Sequence, residues 1–287
     1  MIVSNRSSGL KTTLLLDGLA FPESPRWRED KLWFSDMYDC RVMTVDLNGR
    51  VESICTVPQQ PSGLGWLPDG RMLVVSMLDR RLMCLGPAGL TVFADLSDLA
   101  PSQCNDMVVD RQGRAYIGNF GFNFFDEPPK PTVLILVTPD GQKRIVADGL
   151  MFPNGAVITG DGTTLIVGES YASRLTAFTI RPDGSLTDRR VWAELQRATP
   201  DGICLDAEGA IWTASPGSSE VLRVCEGGRV THRIPLETQP IACMLGGPDR
   251  QMLFVLEAPV VRPGKGLARK PGRIETVRVE IPGAGLP

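Results

Sequence analysis

The stretch Phe152-Pro-Asn-Gly-Ala-Val-Ile-Thr-Gly-Asp-Gly-Thr-Thr-Leu-Ile-Val-Gly168 decides the architecture. An apolar run ends in the turn Gly160-Asp-Gly-Thr163, and a second, Leu165-Ile-Val-Gly, follows at once. Asp and Gly suit that turn because tight hairpins need positive φ. A third run, Arg174-Leu-Thr-Ala-Phe178, comes next. Working outward, the turn recurs as Arg28-Glu-Asp-Lys31, Pro68-Asp-Gly-Arg71, Asp110-Arg-Gln-Gly113, Asp206-Ala-Glu-Gly209 and Gly247-Pro-Asp-Arg250. Each is followed by a β-rich run, such as Leu32-Trp-Phe-Ser, Met72-Leu-Val-Val-Ser or Ile211-Trp-Thr-Ala. No segment keeps a helical period of apolar residues. Six units of about 40 to 50 residues, each giving four strands, predict an all-β, six-bladed β-propeller. A generic β-sandwich does not explain six registers of one pattern. The last unit has only three strands, ending at Arg273-Ile-Glu-Thr-Val-Arg-Val-Glu-Ile281, so the strand Thr12-Thr-Leu-Leu-Leu16 is expected to supply its fourth. That closes the ring and covers an open edge. No linker is visible, so residues 1–287 are expected to form one domain.

Composition narrows the function classes. Apolar residues make up 43% of the chain, enough for a large core, and the net charge of −3 gives no basic excess for nucleic acid. The N-terminal Met1-Ile-Val-Ser-Asn-Arg lacks a signal peptide's apolar run, and no stretch reaches the roughly 18 apolar residues of a membrane helix. Seven scattered cysteines without a Cys-x-x-Cys pair fit reduced thiols, and a cytoplasmic location is expected. The single histidine, His232, excludes zinc sites built from several imidazoles and reads as an ordinary strand residue.

Aligning the units on the start of the first strand gives Phe21-Pro-Glu23, Gln60-Pro-Ser62, Gln103-Cys-Asn105, Phe152-Pro-Asn154, Thr199-Pro-Asp201 and Gln239-Pro-Ile241. The first strand of a blade is the innermost, so its leading residue faces the central channel. Four of the six places, Glu23, Asn105, Asn154 and Asp201, carry oxygen donors converging from different blades. Two carboxylates balance a divalent cation and two carboxamides add neutral oxygens. Such a set favours Ca2+, Mg2+ or Mn2+ over soft-ligand zinc sites. The plainer alternative is that these side chains cap the channel by bonding backbone amides. Ser62 and Ile241, in the same register, are expected to line the pocket without binding the ion.

The motifs Phe21-Pro-Glu-Ser-Pro-Arg-Trp27, Cys104-Asn-Asp106, Phe152-Pro-Asn-Gly155 and Pro200-Asp-Gly202, with the tail Gly272-Arg-Ile-Glu-Thr-Val, resemble the SMP-30/gluconolactonase/LRE family across the whole chain. The resemblance implies a six-bladed propeller acting as a metal-dependent lactonase. Glu23, Asn105, Asn154 and Asp201 would be its ligands and Asp201 the base, with Asp106 as the acidic neighbour. Asp106 is read either as catalytic or as orienting Asn105. The implied cofactor is one divalent ion, Ca2+ first, with Mn2+, Mg2+, Fe2+ and Zn2+ as alternatives. One departure stands out: sugar-lactone members carry an arginine two residues before the first metal-binding Asn, where this chain has Gln103.

The expected reaction is attack on a lactone carbonyl by a water that the metal or Asp201 activates, giving a hydroxy acid. The expected partner is a small lactone or ester, with no nucleic acid and no membrane. Two other classes remain open: a phosphotriesterase of the diisopropylfluorophosphatase type, and a non-catalytic metal-binding regulatory propeller. Cys104 and Cys204, beside the ligands, read as small core residues, and Trp27, Trp33, Trp66 and Trp212 as packing between blades. Loops joining second to third strands are expected to surround the metal. Two are long: residues 119–131, carrying Phe120, Phe122, Phe124 and Phe125, and residues 258–272, carrying Arg262, Lys265, Arg269 and Lys270. The phenylalanines are expected to form an apolar wall and the basic residues to attract an anion. Gln103, Ser62, Phe120, Phe122 and Phe124 are thus the expected substrate contacts, with apolar lactones or esters preferred to gluconolactone.

Overall fold

The repeated turn works as its residues require. Gly162 takes a φ of +75°, and in the first unit, where glycine is missing, Glu29 and Asp30 occupy the left-handed region themselves at +53° and +57°. Each turn joins the two inner strands of a sheet. A computed structural model describes residues 9–260 and 270–287. Their strands form six antiparallel sheets arranged as propeller blades. The inner strands of blades I to VI are Pro22–Arg28, Pro61–Trp66, Cys104–Val109, Pro153–Ile158, Ile203–Asp206 and Pro240–Gly246. Each packs against the inner strands of both neighbours, closing a ring. The only helical pieces among the described residues are two 3-10 turns, Met37–Asp39 and Ser170–Ala172. No described helix is long and apolar enough to cross a membrane.

Burial grades outward, which is why apolar runs dominate the first two strands of each unit. Cys104–Val109 and Ala115–Asn119 are buried throughout, whereas the outer strand Val51–Thr56 is largely exposed. The tryptophans pack between blades: Trp27 stacks on Phe254 at 5.3 Å, Trp33 meets Trp66 edge-on at 5.4 Å, and Trp212 is buried. All seven cysteines are free thiols, and burial pushes the Cys104 thiol up to about 12. That suits a packing role rather than a reactive one. His232 lies on the outer strand Val230–Pro235, tilted against Trp212 at 5.6 Å.

The ring closes as the strand count requires. Thr13–Leu19 pairs antiparallel with Gly272–Arg278 and completes blade VI. The end of the chain does something the repeat did not predict. Gly283–Ala284 adds a fifth strand to blade V beside Leu205 and Asp206, and Leu286 bridges to Ile158 of blade IV. The tail therefore lies across the channel end where the inner strands finish, opposite the end where they start.

Candidate metal centre and pocket

Three of the four donors, Glu23, Asn105 and Asn154, are aimed by a local irregularity. The register between inner and second strand breaks between Glu23 and Arg26, Pro61 and Leu64, Cys104 and Met107, and Pro153 and Ala156. A bulge at the start of a strand re-aims the side chain there. Here it presents the second residue, Glu23, Asn105 or Asn154, to the channel. After Asn154 and Asp201 the next residue must be glycine, because neighbouring inner strands converge there. A Cβ on Gly155 would sit 2.5 Å from the Asp201 carbonyl oxygen, and one on Gly202 would sit 2.4 Å from Ala242 Cβ.

In blades I, IV and V the end of the second strand holds the approach to the donor. Asp36 accepts from the backbone N–H groups of Ala20 and Phe21 (2.7 Å for Phe21), just before Glu23. Glu169 accepts from Met151 N at 2.8 Å ahead of Asn154, and Ser215 Oγ from Thr199 N at 3.0 Å ahead of Asp201. These three buried polar residues were not singled out in the sequence, although they share one repeat position.

The structure brings Glu23, Asn105, Asn154 and Asp201 together on the floor of one cavity. Ser62 Oγ donates to Asn105 Oδ1 at 3.4 Å, Asn105 Nδ2 to Asn154 Oδ1 at 3.0 Å, and Asn154 Nδ2 to Ser170 Oγ at 3.2 Å. Ser170 Oγ donates in turn to the Pro200 carbonyl, the residue before Asp201, at 2.6 Å. Among the described residues Glu23 Oε2 accepts the backbone N–H of Ser24, at 2.8 Å. Asp201 is half-buried as a residue, yet its Oδ1 is shut from solvent with no hydrogen-bond partner. Burial, then the charges of Asp201 and Asp106, push the Glu23 carboxyl well above its ordinary range. Burial and the Asp106 charge do the same to Asp201. An orphaned carboxylate oxygen, a second crowded carboxylate and two carboxamides make a donor set that lacks a positive charge, and a divalent oxygen-seeking cation fits it. Among the described residues no three His, Cys, Asp or Glu side chains cluster closely enough to hold an ion, so the two asparagines would be needed here.

Burial also sets the sign of a pH effect. The folded, cation-free chain keeps protons on these carboxyls at pH values where the unfolded chain has released them. Its stability therefore falls as pH rises from the ordinary carboxylate range through the raised values. A cation that needs both groups ionised binds better over the same interval. The gain in Tm on adding Ca2+ to chelator-treated protein is expected to grow from about pH 5 to about pH 8. Thermal melts with and without Ca2+ across that range check it; a gain that shrinks as pH rises would contradict it.

The cavity has a volume of about 680 Å³ and is walled by loops joining second to third strands. One wall is aromatic: Phe120 stacks on Phe152 at 4.4 Å, Phe124 lies 5.8 Å and Tyr171 5.5 Å from Phe152, and Phe125 adjoins Phe124. Phe21 and Tyr38, 4.9 Å apart, stand on the blade I side, where burial and the nearby Glu23 charge push the Tyr38 phenol up. Gln103 lines the cavity, its Oε1 buried and unpartnered. Three residues expected at the site sit behind it. Phe122, 2% exposed, packs behind Phe152 and Tyr171; Ser62 is buried against Asn105; Asp106 faces Arg26. The described lining contains no Lys, Arg or His. Arg262, Lys265 and Arg269 lie outside the described residues, and Lys270 pairs with Asp39 at 2.9 Å. Phe21, Tyr38, Phe152 and Tyr171 also line the cavity and are not among the expected contacts; the repeated Phe-Pro before Glu23 and Asn154 was the signal for Phe21 and Phe152.

Fold and centre together define a six-bladed propeller with an oxygen-donor cluster at one mouth of its channel. The chain belongs to the SMP-30/Gluconolactonase/LRE-like family, whose characteristic region it matches over residues 21–258. Regucalcin of Danio rerio is 26% identical over 268 residues, covering 87% of this chain and 86% of that protein. A pentonolactonase of Haloferax volcanii is 25% identical over 250 residues, covering 82% and 81%. The solved regucalcin of Agrobacterium tumefaciens, described as a calcium-binding protein, shares the fold with a TM-score of 0.81 at 23% identity, covering 97% of each chain.

Proposed function

We propose that this chain is a metal-dependent lactone hydrolase that prefers apolar lactones or esters to sugar lactones. The carrying observation is the orphaned Asp201 Oδ1 beside Glu23, Asn105 and Asn154, on the floor of an aromatic pocket. Family membership and the similarity to a pentonolactonase support the reaction class. Glu23, Asn105, Asn154 and Asp201 would hold the ion, with Ca2+ the first choice for an all-oxygen set and a calcium-binding relative in support. A divalent cation bound there supplies Lewis acidity to an acyl oxygen and eases deprotonation of water.

The chain's own residues do the rest. The Asp201 carboxylate accepts a proton from the attacking water as its oxygen bonds to the acyl carbon. The ring C–O bond then breaks, and the departing alkoxide oxygen takes the proton back, leaving a hydroxy acid. Phe120, Phe124, Phe152 and Tyr171 enclose the hydrocarbon part of the ring and exclude water from it. Gln103 offers a neutral carboxamide, which gives an anionic group no opposite charge to pair with.

The test compares a γ-alkyl lactone, dihydrocoumarin, an aryl ester, paraoxon and gluconolactone at matched pH, corrected for spontaneous hydrolysis. The apolar lactones are expected to exceed gluconolactone in kcat/KM by at least about tenfold, with Phe124→Ala and Phe152→Ala each removing much of that margin. A preference for gluconolactone that both variants leave intact would refute the substrate assignment. Turnover of paraoxon alone would favour the phosphotriesterase reading, and binding of Ca2+ without any turnover the regulatory one.

A further inference from the structure

Beneath the candidate centre lies a buried guanidinium that joins three blades. Arg26 of blade I has a side chain only 4% exposed, and every nitrogen is used. Its Nη1 donates to Pro25 O at 2.8 Å in its own blade, and its Nε to Leu64 O of blade II at 2.9 Å. Its Nη2 donates to both Asp106 Oδ1, at 2.8 Å, and Met107 O, at 2.5 Å, in blade III. Only arginine carries five donors in a planar fork able to reach three strands at once. Asp106 Oδ1 also accepts Met107 N at 2.8 Å, so that oxygen is doubly engaged, whereas Asp201 Oδ1 has no partner. Asp106 is nonetheless close enough for its charge to act on both Glu23 and Asp201.

We propose that Arg26 sets the charge of the cation site: it balances Asp106 in a buried ion pair, so that the centre presents the net −2 of Glu23 and Asp201 and selects a divalent over a trivalent ion. This rests on reading the four donors as a cation site. Three carboxylates without Arg26 would present −3. Asp106 then acts as a fixed, balanced charge under the floor, and Glu23 and Asp201 are left as the carboxylates that line the cavity. Arg26 is a positioning residue in this scheme: it touches Asp106 and the backbone behind Glu23 and Asn105, not the substrate.

The experiment measures equilibrium affinities for Ca2+ and Tb3+, two oxygen-seeking ions of similar size and different charge, on chelator-treated full-length protein. Wild type is expected to bind one Ca2+ per chain. Arg26→Met should raise the ratio of Tb3+ to Ca2+ affinity at least about tenfold, and adding Asp106→Asn to it should bring the ratio back. Asp106→Asn alone keeps an oxygen for Arg26 and Met107 N but leaves the guanidinium unbalanced, so it should lower the ratio by a similar factor. A residue that merely braces the blades would weaken both ions together and leave the ratio where it was. A ratio unchanged in Arg26→Met and in Asp106→Asn, with Ca2+ binding retained, overturns the proposal. If Arg26→Met does not fold, Asp106→Asn decides alone on the same criterion. Wild type that binds neither ion fails the cation reading itself, and the proposal falls with it.

Discussion

Asp201→Asn is expected to lower kcat for lactone hydrolysis by roughly 10²- to 10⁴-fold, the range for losing a positioned proton acceptor. The side chain combines two tasks in this reading, as a charged donor to the ion and as a proton acceptor whose buried Oδ1 has no partner. The near-isosteric amide leaves the Gly155 N–H bond to the Asp201 carbonyl intact, because that contact is backbone to backbone. The fold should therefore survive, with an unchanged β circular dichroism spectrum. It should also melt no lower than wild type without metal, since removing a crowded buried charge relieves repulsion. Asp106→Asn should cost much less activity, because Asp106 is held by Arg26 and Met107 and lies behind the cavity. Steady-state kinetics of the two variants, each saturated with metal, decide the matter. Asp201→Asn with wild-type kcat would remove Asp201 from the chemistry.

Removing the metal should abolish hydrolysis, and restoring Ca2+ or Mn2+ should recover it. The metal-free floor holds two buried carboxyls that both shift toward the protonated form, so it is a poor proton acceptor as well as an empty electrophilic site. Glu23→Gln, which halves the formal charge of the donor set, should weaken Ca2+ binding by roughly 100-fold or more, since ligand charge count is the main control of such affinities. Titration calorimetry gives the affinity and one-to-one stoichiometry, and activity tracks it on the same samples. Full activity in protein verified to be metal-free would end the metal-dependent reading, whatever the variants did.

The register of Glu23, Asn105, Asn154 and Asp201 was readable because a repeat places equivalent residues at equivalent heights of the channel. The Gly after Asn154 and after Asp201 was visible as a motif, but its reason, contact between adjacent inner strands, needed coordinates. Among the phenylalanines of the long loop, Phe120, Phe124 and Phe125 line the cavity while Phe122 packs beneath Phe152. Nothing in the spacing of a loop tells which of four rings turns inward, because no regular period governs its side-chain directions.

The linear order of residues carries the six blades, their hairpin turns, the borrowed N-terminal strand and the placing of Glu23, Asn105, Asn154 and Asp201 at one mouth of the channel. All of these follow from local chemistry, positive-φ turns and apolar alternation, repeated along the chain. Tertiary structure alone decided the partners across the ring. Arg26, which follows a register break in its strand, reaches Asp106, 80 residues away, across Leu64 of blade II, and Gly283–Ala284 pairs with Leu205 and Asp206 of blade V. Such contacts depend on which strands become radial neighbours and how each is rotated at its first residues, and a side chain's choice among distant backbone carbonyls and carboxylates leaves no pattern in the linear order of residues.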